Sequence, residues 1–288
     1  MSAKFGPAGN CEQFNKEHKS SLDAPEWIAC QGLDCYEYQC GKGVNIREDT
    51  ARKLGEKART AGIALSLHAP YFINLANPEP EALEKTTGYI RSACMAADWM
   101  GAQRVVIHSG ALMGRTRRQA MEIALPSLKA VMTACDEAGL GHIVLCPETM
   151  GKINQLGDLD EVLELCTLDE RLVPCVDFGH LYARSLGADD GLEAMCRILD
   201  RIEAVLGTQR ASGFHSHFSH IQFTPKGGEK CHRTFEDDDG FGPDWKPLAA
   251  EIARRGWSPT FICESAGTQA RDALVMKEEY LRHLTIKY

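Results

Sequence analysis

Histidines and carboxylates close the short apolar runs of this 288-residue chain one after another. In order, ALSLH ends at His68, RVVIH at His108, IVLCPE at Glu148, VPCVD at Asp177 and TFICE at Glu264, while HFSHIQF carries His220 in its middle. His180 follows Asp177 by three residues, and His232 lies beyond His220. Imidazole nitrogens and carboxylate oxygens are the ligands that zinc, manganese or iron accept. One such residue says little, since a lone histidine at a strand end is usually structural. So many in register point to a multinuclear metal site.

A sheet edge is what must position these groups. A β-strand delivers its last side chain to one edge, and a closed parallel barrel gathers the C-terminal ends of its strands at one mouth. Two earlier strands are expected near Phe5–Pro7 and at CYEYQ, residues 35–39. Helix-like stretches alternate with the strands. APEWIACQG stops at Gly32, REDTARKLGEKARTAG stops at Gly62, and RRQAMEIALPSLKAVMTACDEAG carries Pro126 as an expected kink or interruption. Eight strand–helix units predict an α/β fold, a (β/α)8 TIM barrel. A single domain is expected over residues 1–288, with the metal site at the C-terminal mouth of the strands. The stretch from Thr224 to Pro243 reads as a long irregular loop at that mouth, where loops are more often functional than idle.

Composition narrows the classes. The hydrophobic fraction of 44% and charged fraction of 25% are those of an ordinary globular protein. No apolar run is long enough to span a membrane, and MSAKFGPAGNCEQF has no apolar signal segment, so a cytoplasmic monomer is expected. GPAGN after the first strand lacks the spacing of a dinucleotide-binding turn, so no nucleotide cofactor is expected. Twelve cysteines include no C-x-x-C pair, and several sit inside strand-like runs, as reduced core thiols do. A formal net charge of -8 disfavours broad nucleic-acid binding, but cations held in the mouth would make the local field positive. Basic residues also lie just past the strand ends: Arg115, Arg117 and Arg118, then Lys152, then Lys226, Lys230 and Arg233.

HAPYFINLANP followed by EALEK, then VIHSG, PETMGK, VDFGHLYA and CES, occur in order along nearly the whole chain. In these motifs the sequence resembles the endonuclease IV family of apurinic/apyrimidinic endonucleases, within the wider xylose-isomerase-like barrels. The resemblance implies that His68 and His108 hold one zinc, with Glu148 bridging to a second that Asp177, His220 and Glu264 complete. His180 and His232 would belong to a third. It further implies a phosphodiesterase of base-excision repair that cuts DNA 5′ to abasic sites. Glu148 and Glu264 are then residues on which catalysis depends, with two or three zinc ions, or manganese or iron in their place. Tyr71 and Phe72 correspond to family residues that enter DNA at the lesion, and Lys42 is a candidate phosphate contact.

Two passages depart from the family. Its D-x-H motif would place an Asp where this chain has Lys230, and an ammonium has no lone pair for a metal. Either Glu229 or one of Asp237, Asp238 and Asp239 substitutes, or the third site is weak or absent. The basic loop after the second strand is reduced to CGKGVN. His215 and His217 precede His220, but strand alternation groups 218 with 220 and favours His220 as the ligand. The alternative function is a sugar isomerase or epimerase of the same class. It would use one divalent metal on Glu148, Asp177, His220 and Glu264, and it has no need of the remaining histidines.

Overall fold

The computed structural model describes residues 2–285. Its strands are β1 (Lys4–Pro7), β2 (Cys35–Gln39), β3 (Ala64–His68), β4 (Arg104–His108), β5 (Val144–Glu148), β6 (Cys175–Asp177) and β7 (His215–Phe218). They are followed by a hairpin of β8 (His220–Thr224) and β9 (Gly228–Arg233), and then by β10 (Thr260–Cys263). Leaving out the hairpin, eight strands pair in parallel in the order β1-β10-β7-β6-β5-β4-β3-β2. The ring is drawn together between β1 and β2 by a bridge from Ala8 to Glu37 and by the Asp34 amide donating to the Phe5 carbonyl at 2.8 Å. Glycine at position 6 permits this approach, because a Cβ there would sit 1.8 Å from the Cys35 carbonyl oxygen. The result is a single-domain, nearly closed TIM barrel, as the alternation of strands and helices requires.

The helices are α1 (Glu12–Glu17), α2 (Ala24–Cys30), α3 (Glu48–Ala61), α4 (Pro80–Met100), α5 (Arg117–Glu137), α6 (Leu159–Cys166), α7 (Phe178–Arg184), α8 (Gly191–Ala211), α9 (Trp245–Arg255) and α10 (Gln269–Thr285). Each long one turns a small-residue or aliphatic stripe inward. In α4 it is Ile90, Ala93, Cys94 and Ala97; in α5 it is Met121, Ala124, Leu128 and Val131. Of the kink or interruption expected at Pro126, the interruption does not occur, and α5 runs on through it. A proline removes one helical hydrogen bond, and the continuous buried stripe on either side outweighs that loss.

Outward-facing Phe5, Phe218 and Phe261 meet Trp245 of α9 in the layer between strands and helices. The apolar residues inside the barrel form two small clusters, Cys35, Ala64 and Ile262 on one side, and Val106, Cys146 and Cys175 on the other. All twelve cysteines are unpaired, and those inside the barrel act as compact hydrophobes. Among the described residues no helix is long and apolar enough to cross a membrane.

The Thr224–Pro243 stretch is not the irregular loop its composition suggested. Its first half holds the last residue of β8 and all of β9, which pairs back antiparallel on β8 after the turn at residues 225–227, and Gly228 opens β9 with a left-handed φ of 73°. The hairpin's far end is tied down where the Ile221 amide donates to the Gly242 carbonyl at 2.8 Å.

On the outer shell, buried Glu251 of α9 accepts from Arg254 at 2.6 Å and from Arg255 at 2.7 Å, and Arg255 reaches Asp200 of α8. The Arg254 hydrogen bonds hold the Glu251 carboxyl down at about 2, against its burial and with help from Arg255. A carboxyl depressed in the folded state contributes stability above its unfolded value and loses it as pH falls through the folded one. Glu251→Gln should therefore cost about 1–3 kcal/mol at pH 7 in urea unfolding. The gap to wild type should narrow as pH drops from 4.5 toward 2. A gap that does not change with pH would refute the electrostatic origin.

Candidate metal centre

Register places the donors in a ring. His108 stands opposite Glu148 across β4 and β5, Asp177 stands opposite His217 across β6 and β7, and His68 ends β3. Glu148 is the hub. Its Oε2 lies 3.3 Å from His68 Nε2 and 3.2 Å from His108 Nε2, and its Oε1 lies 3.0 Å from His217 Nδ1. Among the described residues four overlapping groups follow, each with donor atoms within 4.8 Å of one another: His68, Glu148 and His217; Glu148, Asp177, His217 and Glu264; His180, His232 and Glu264; and Cys175 and His215 with His217. Glu148 belongs to two groups and so does Glu264. Having two oxygens each, these carboxylates can bridge neighbouring ions.

Surrounding backbone fixes which ring nitrogen faces inward. His68 Nδ1–H donates to the Ala69 carbonyl at 2.7 Å, and His180 Nδ1–H to the Thr149 carbonyl at 2.8 Å. Their Nε2 atoms are left to carry the lone pairs, the arrangement that prepares a histidine for a metal. His232 Nδ1 is likewise engaged with the Ser219 hydroxyl at 2.8 Å. Asp177 is divided between two tasks. Its Oδ1 caps α7 by accepting from the His180 amide at 2.7 Å, while its Oδ2 is buried with no hydrogen-bond partner. An orphaned carboxylate oxygen amid converging imidazoles fits a divalent cation. The donor set is the mixed nitrogen and oxygen kind that zinc, manganese or iron accepts.

The electrostatics reflect the crowding. Burial alone would raise the Glu148 carboxyl, but the His217 charge and hydrogen bonds from His108, His217 and His68 hold it well below the usual range. Burial raises Asp177, with Glu264 and Glu148 adding to it against His180 and His217. At His180 burial opposes the proton, yet Asp177, Glu229, Glu148 and Glu264 push the ring up to about 9. Clustered carboxylates thus recruit positive charge, which protons supply when no cation does.

His220 is the one proposed donor that the structure leaves outside this ring. HFSHIQF is two elements, not one: the barrel strand stops at Phe218, and His220 opens the hairpin. There it stacks on Phe235 at 4.7 Å, and burial lowers its pKa. Alternation within β7 turns His215 and His217 into the barrel and Phe218 outward against Trp245. His217 therefore takes the inward place. The spacing of two histidines in HSHF was the available signal, hidden because the strand was read as running on through Ser219. Glu37, fully buried beside His215 and His217, was not singled out at all. A charged residue in the middle of CYEYQ was its only trace.

At the broken D-x-H motif Lys230 is exposed, while Glu229 Oε2 comes within 3.6 Å of His180 Nε2. Gly151 makes room for this, since a Cβ there would lie 2.7 Å from that of Glu229. Asp237 is engaged with the Thr234 amide, Asp239 pairs with Arg233, and Asp238 is exposed. The donors open into a cavity of about 440 Å³ that is also lined by Tyr71, Met150, Lys152 and Gln155. Tyr71, 57% exposed, stacks on His108 at 5.8 Å, and Phe72, 51% exposed, meets Tyr89 at 4.6 Å. Lys42 is exposed in the turn after β2, next to Gly41, where any Cβ would meet the Tyr71 ring at 2.3 Å.

Barrel and mouth together define an α/β enzyme scaffold with its polar site at the strand ends. The chain matches the xylose isomerase-like TIM barrel family over residues 25–283 and belongs to that family. An uncharacterised protein of Methanocaldococcus jannaschii is 31% identical over 273 residues, 95% of each chain. A probable endonuclease 4 of Shouchella clausii is 25% identical over 209 residues, covering 68% of this chain and 69% of its own. Among solved structures, a D-tagatose 3-epimerase-like protein aligns over 99% of both chains with a TM-score of 0.72 at 17% identity. Endonuclease IV from Thermus thermophilus aligns over 98% of this chain and 99% of its own, with a TM-score of 0.67 at 19% identity. At such identities these two structures share the fold.

The geometry separates two neighbouring histidines by experiment. His217→Ala should remove at least one equivalent of bound metal from protein purified and reloaded with zinc, whereas His220→Ala should retain the wild-type content. Elemental analysis checks this, and the reverse pattern would return His220 to the site.

Proposed function

We propose that the protein is a metal-dependent endonuclease that hydrolyses the phosphodiester 5′ to abasic sites in DNA, a reaction of base-excision repair. The observation that carries this reading is the chain of three donor groups joined through Glu148 and Glu264. One ion cannot use so many ligands. In this reading His68, His108 and Glu148 hold a first zinc. Glu148, Asp177, His217 and Glu264 hold a second, and Glu264, His180 and His232, with Glu229 in place of the family aspartate, hold a third. Bound there, such ions supply positive charge to the phosphate and lower the pKa of the attacking water.

The chain's own residues shape the rest. Glu148 and Glu264, each shared by two donor groups, would set the spacing of the cations. In this reading Lys152, which lines the cavity, and exposed Lys42, next to the Gly41 that packs against Tyr71, would meet backbone phosphates. Exposed Tyr71 stands beside His68 and His108, and exposed Phe72 follows it against Tyr89; such side chains could fill the gap that opens when DNA is kinked at a missing base. The endonuclease 4 relatives support this substrate class. A second reading, one-metal sugar epimerisation, is favoured by Glu148, Asp177, His217 and Glu264, which form a sufficient site alone.

Incision of a duplex carrying an abasic-site analogue, beside the intact duplex and a ketohexose panel, distinguishes the two. Nuclease activity with two or three metal equivalents is expected. One equivalent with ketose epimerisation and no incision would overturn the proposal. Glu148→Gln and Glu264→Gln should each lower incision at least a hundredfold with an unchanged circular dichroism spectrum, because the amide loses the charge that holds a divalent ion.

The wedge makes a separate demand. Replacing Tyr71 and Phe72 together by alanine should weaken binding to the abasic duplex by about 1–3 kcal/mol per stacking group while leaving metal content unchanged. Fluorescence anisotropy showing equal affinities for the double variant and wild type would remove the wedge from the mechanism.

A further inference from the structure

Glu37 is a fully buried charge in the middle of β2, below the mouth, and the donor groups do not include it. Its Oε2 accepts from Ser66 Oγ at 2.9 Å and meets His215 Nε2 at 2.9 Å. Its Oε1 accepts from Gln39 Nε2 at 3.2 Å and lies 2.9 Å from His217 Nε2. The ion pairs it forms among the described residues are with these two histidines. Leaving an ionised carboxylate in a dry interior costs several kcal/mol unless its charge is answered.

His217 is the link between that charge and the mouth. Its Nδ1 faces the donors, 3.0 Å from Glu148 Oε1 and 3.5 Å from Glu264 Oε2, while its buried Nε2 has Glu37 Oε1 at 2.9 Å as an ion-pair contact not aligned as a hydrogen bond. An imidazole offers a metal one lone pair, and the partner of the other nitrogen decides which it is. For His68 and His180 that partner is a backbone carbonyl on Nδ1, so Nε2 points inward. His217 is turned the other way round.

We propose that Glu37 is the positioning residue of the metal ligand His217, holding the proton on Nε2 so that Nδ1 carries its lone pair to the centre. His215 anchors the other carboxylate oxygen and keeps Glu37 from turning away. The buried anion is answered by the cation on the far side of the ring, so Glu37 tunes affinity without touching metal or substrate. This inference rests on the metal-binding part of the reading above and is independent of which substrate is cut.

Two measurements test it. Glu37→Gln should weaken zinc binding 10–100-fold in competition with a chelator. Glu37→Asp should recover part of the loss, and Ser66→Ala, which spares the contact with His217, should stay within about threefold of wild type. In zinc-loaded wild type labelled with 15N-histidine, two-bond correlation spectra should show His217, assigned by its loss in His217→Gln, bound through Nδ1 with Nε2 protonated. His68 and His180 should show the opposite pattern. Wild-type affinity in a folded Glu37→Gln variant, or Nε2 coordination of His217, overturns the inference while leaving the metal site standing. If Glu37→Gln does not fold, the wild-type spectrum decides alone. A wild type that binds no zinc overturns both the metal reading and this one.

Discussion

The site depends on one buried carboxylate placed where several histidines must share it. Glu148 ends β5, and its two oxygens face rings brought by β3, β4 and β7. Four like-minded groups would not gather in a dry interior for the sake of packing. Positive charge is what makes the assembly affordable, and the barrel is what makes it possible, because parallel strands present their last residues at one height. Everything farther out is arranged around that point: Asp177 both caps α7 and leaves one oxygen free, and Gly151 clears space for Glu229.

Most of the barrel was legible in the sequence because strand ends carry both a pattern and a chemistry. ALSLH and RVVIH were placed at their observed bounds, 64–68 and 104–108, since apolar alternation and a terminal histidine coincide there. Legibility failed where one run of residues serves two elements. HFSHIQF has the composition of a single strand, yet tertiary pairing splits it at Ser219, between a parallel partner and an antiparallel one. A slip of one residue in a strand exchanges its faces, so the misplaced boundary also misplaced the inward histidine. The hairpin in the following glycine-rich stretch was missed for the opposite reason: local composition says turn, and only the pairing of β9 back onto β8 shows how short the turn is.

Glu37 illustrates a further limit. From the chain alone, a glutamate flanked by two tyrosines in CYEYQ reads as a residue on the polar face of a half-exposed strand. Its meaning comes from His215 and His217, nearly two hundred residues away in sequence and adjacent only once the barrel closes. Metal ligands announce themselves by type and repetition. The groups that orient ligands have neither, and they are found by asking which buried charges remain unanswered.

The donors are carried by two kinds of support. Strand ends of the barrel bear Glu148, Asp177, His217 and, directly after β10, Glu264, while His232 and Glu229 ride on a hairpin that leaves the barrel after Phe218 and is tied back at Gly242. Such an excursion can be exchanged, lengthened or trimmed with little effect on the barrel's folding. The number of ions such a mouth could hold is therefore separable from the scaffold. A lineage that keeps the strand-borne quartet and remodels this one hairpin can move between chemistries needing one cation and chemistries needing several, without inventing a new fold.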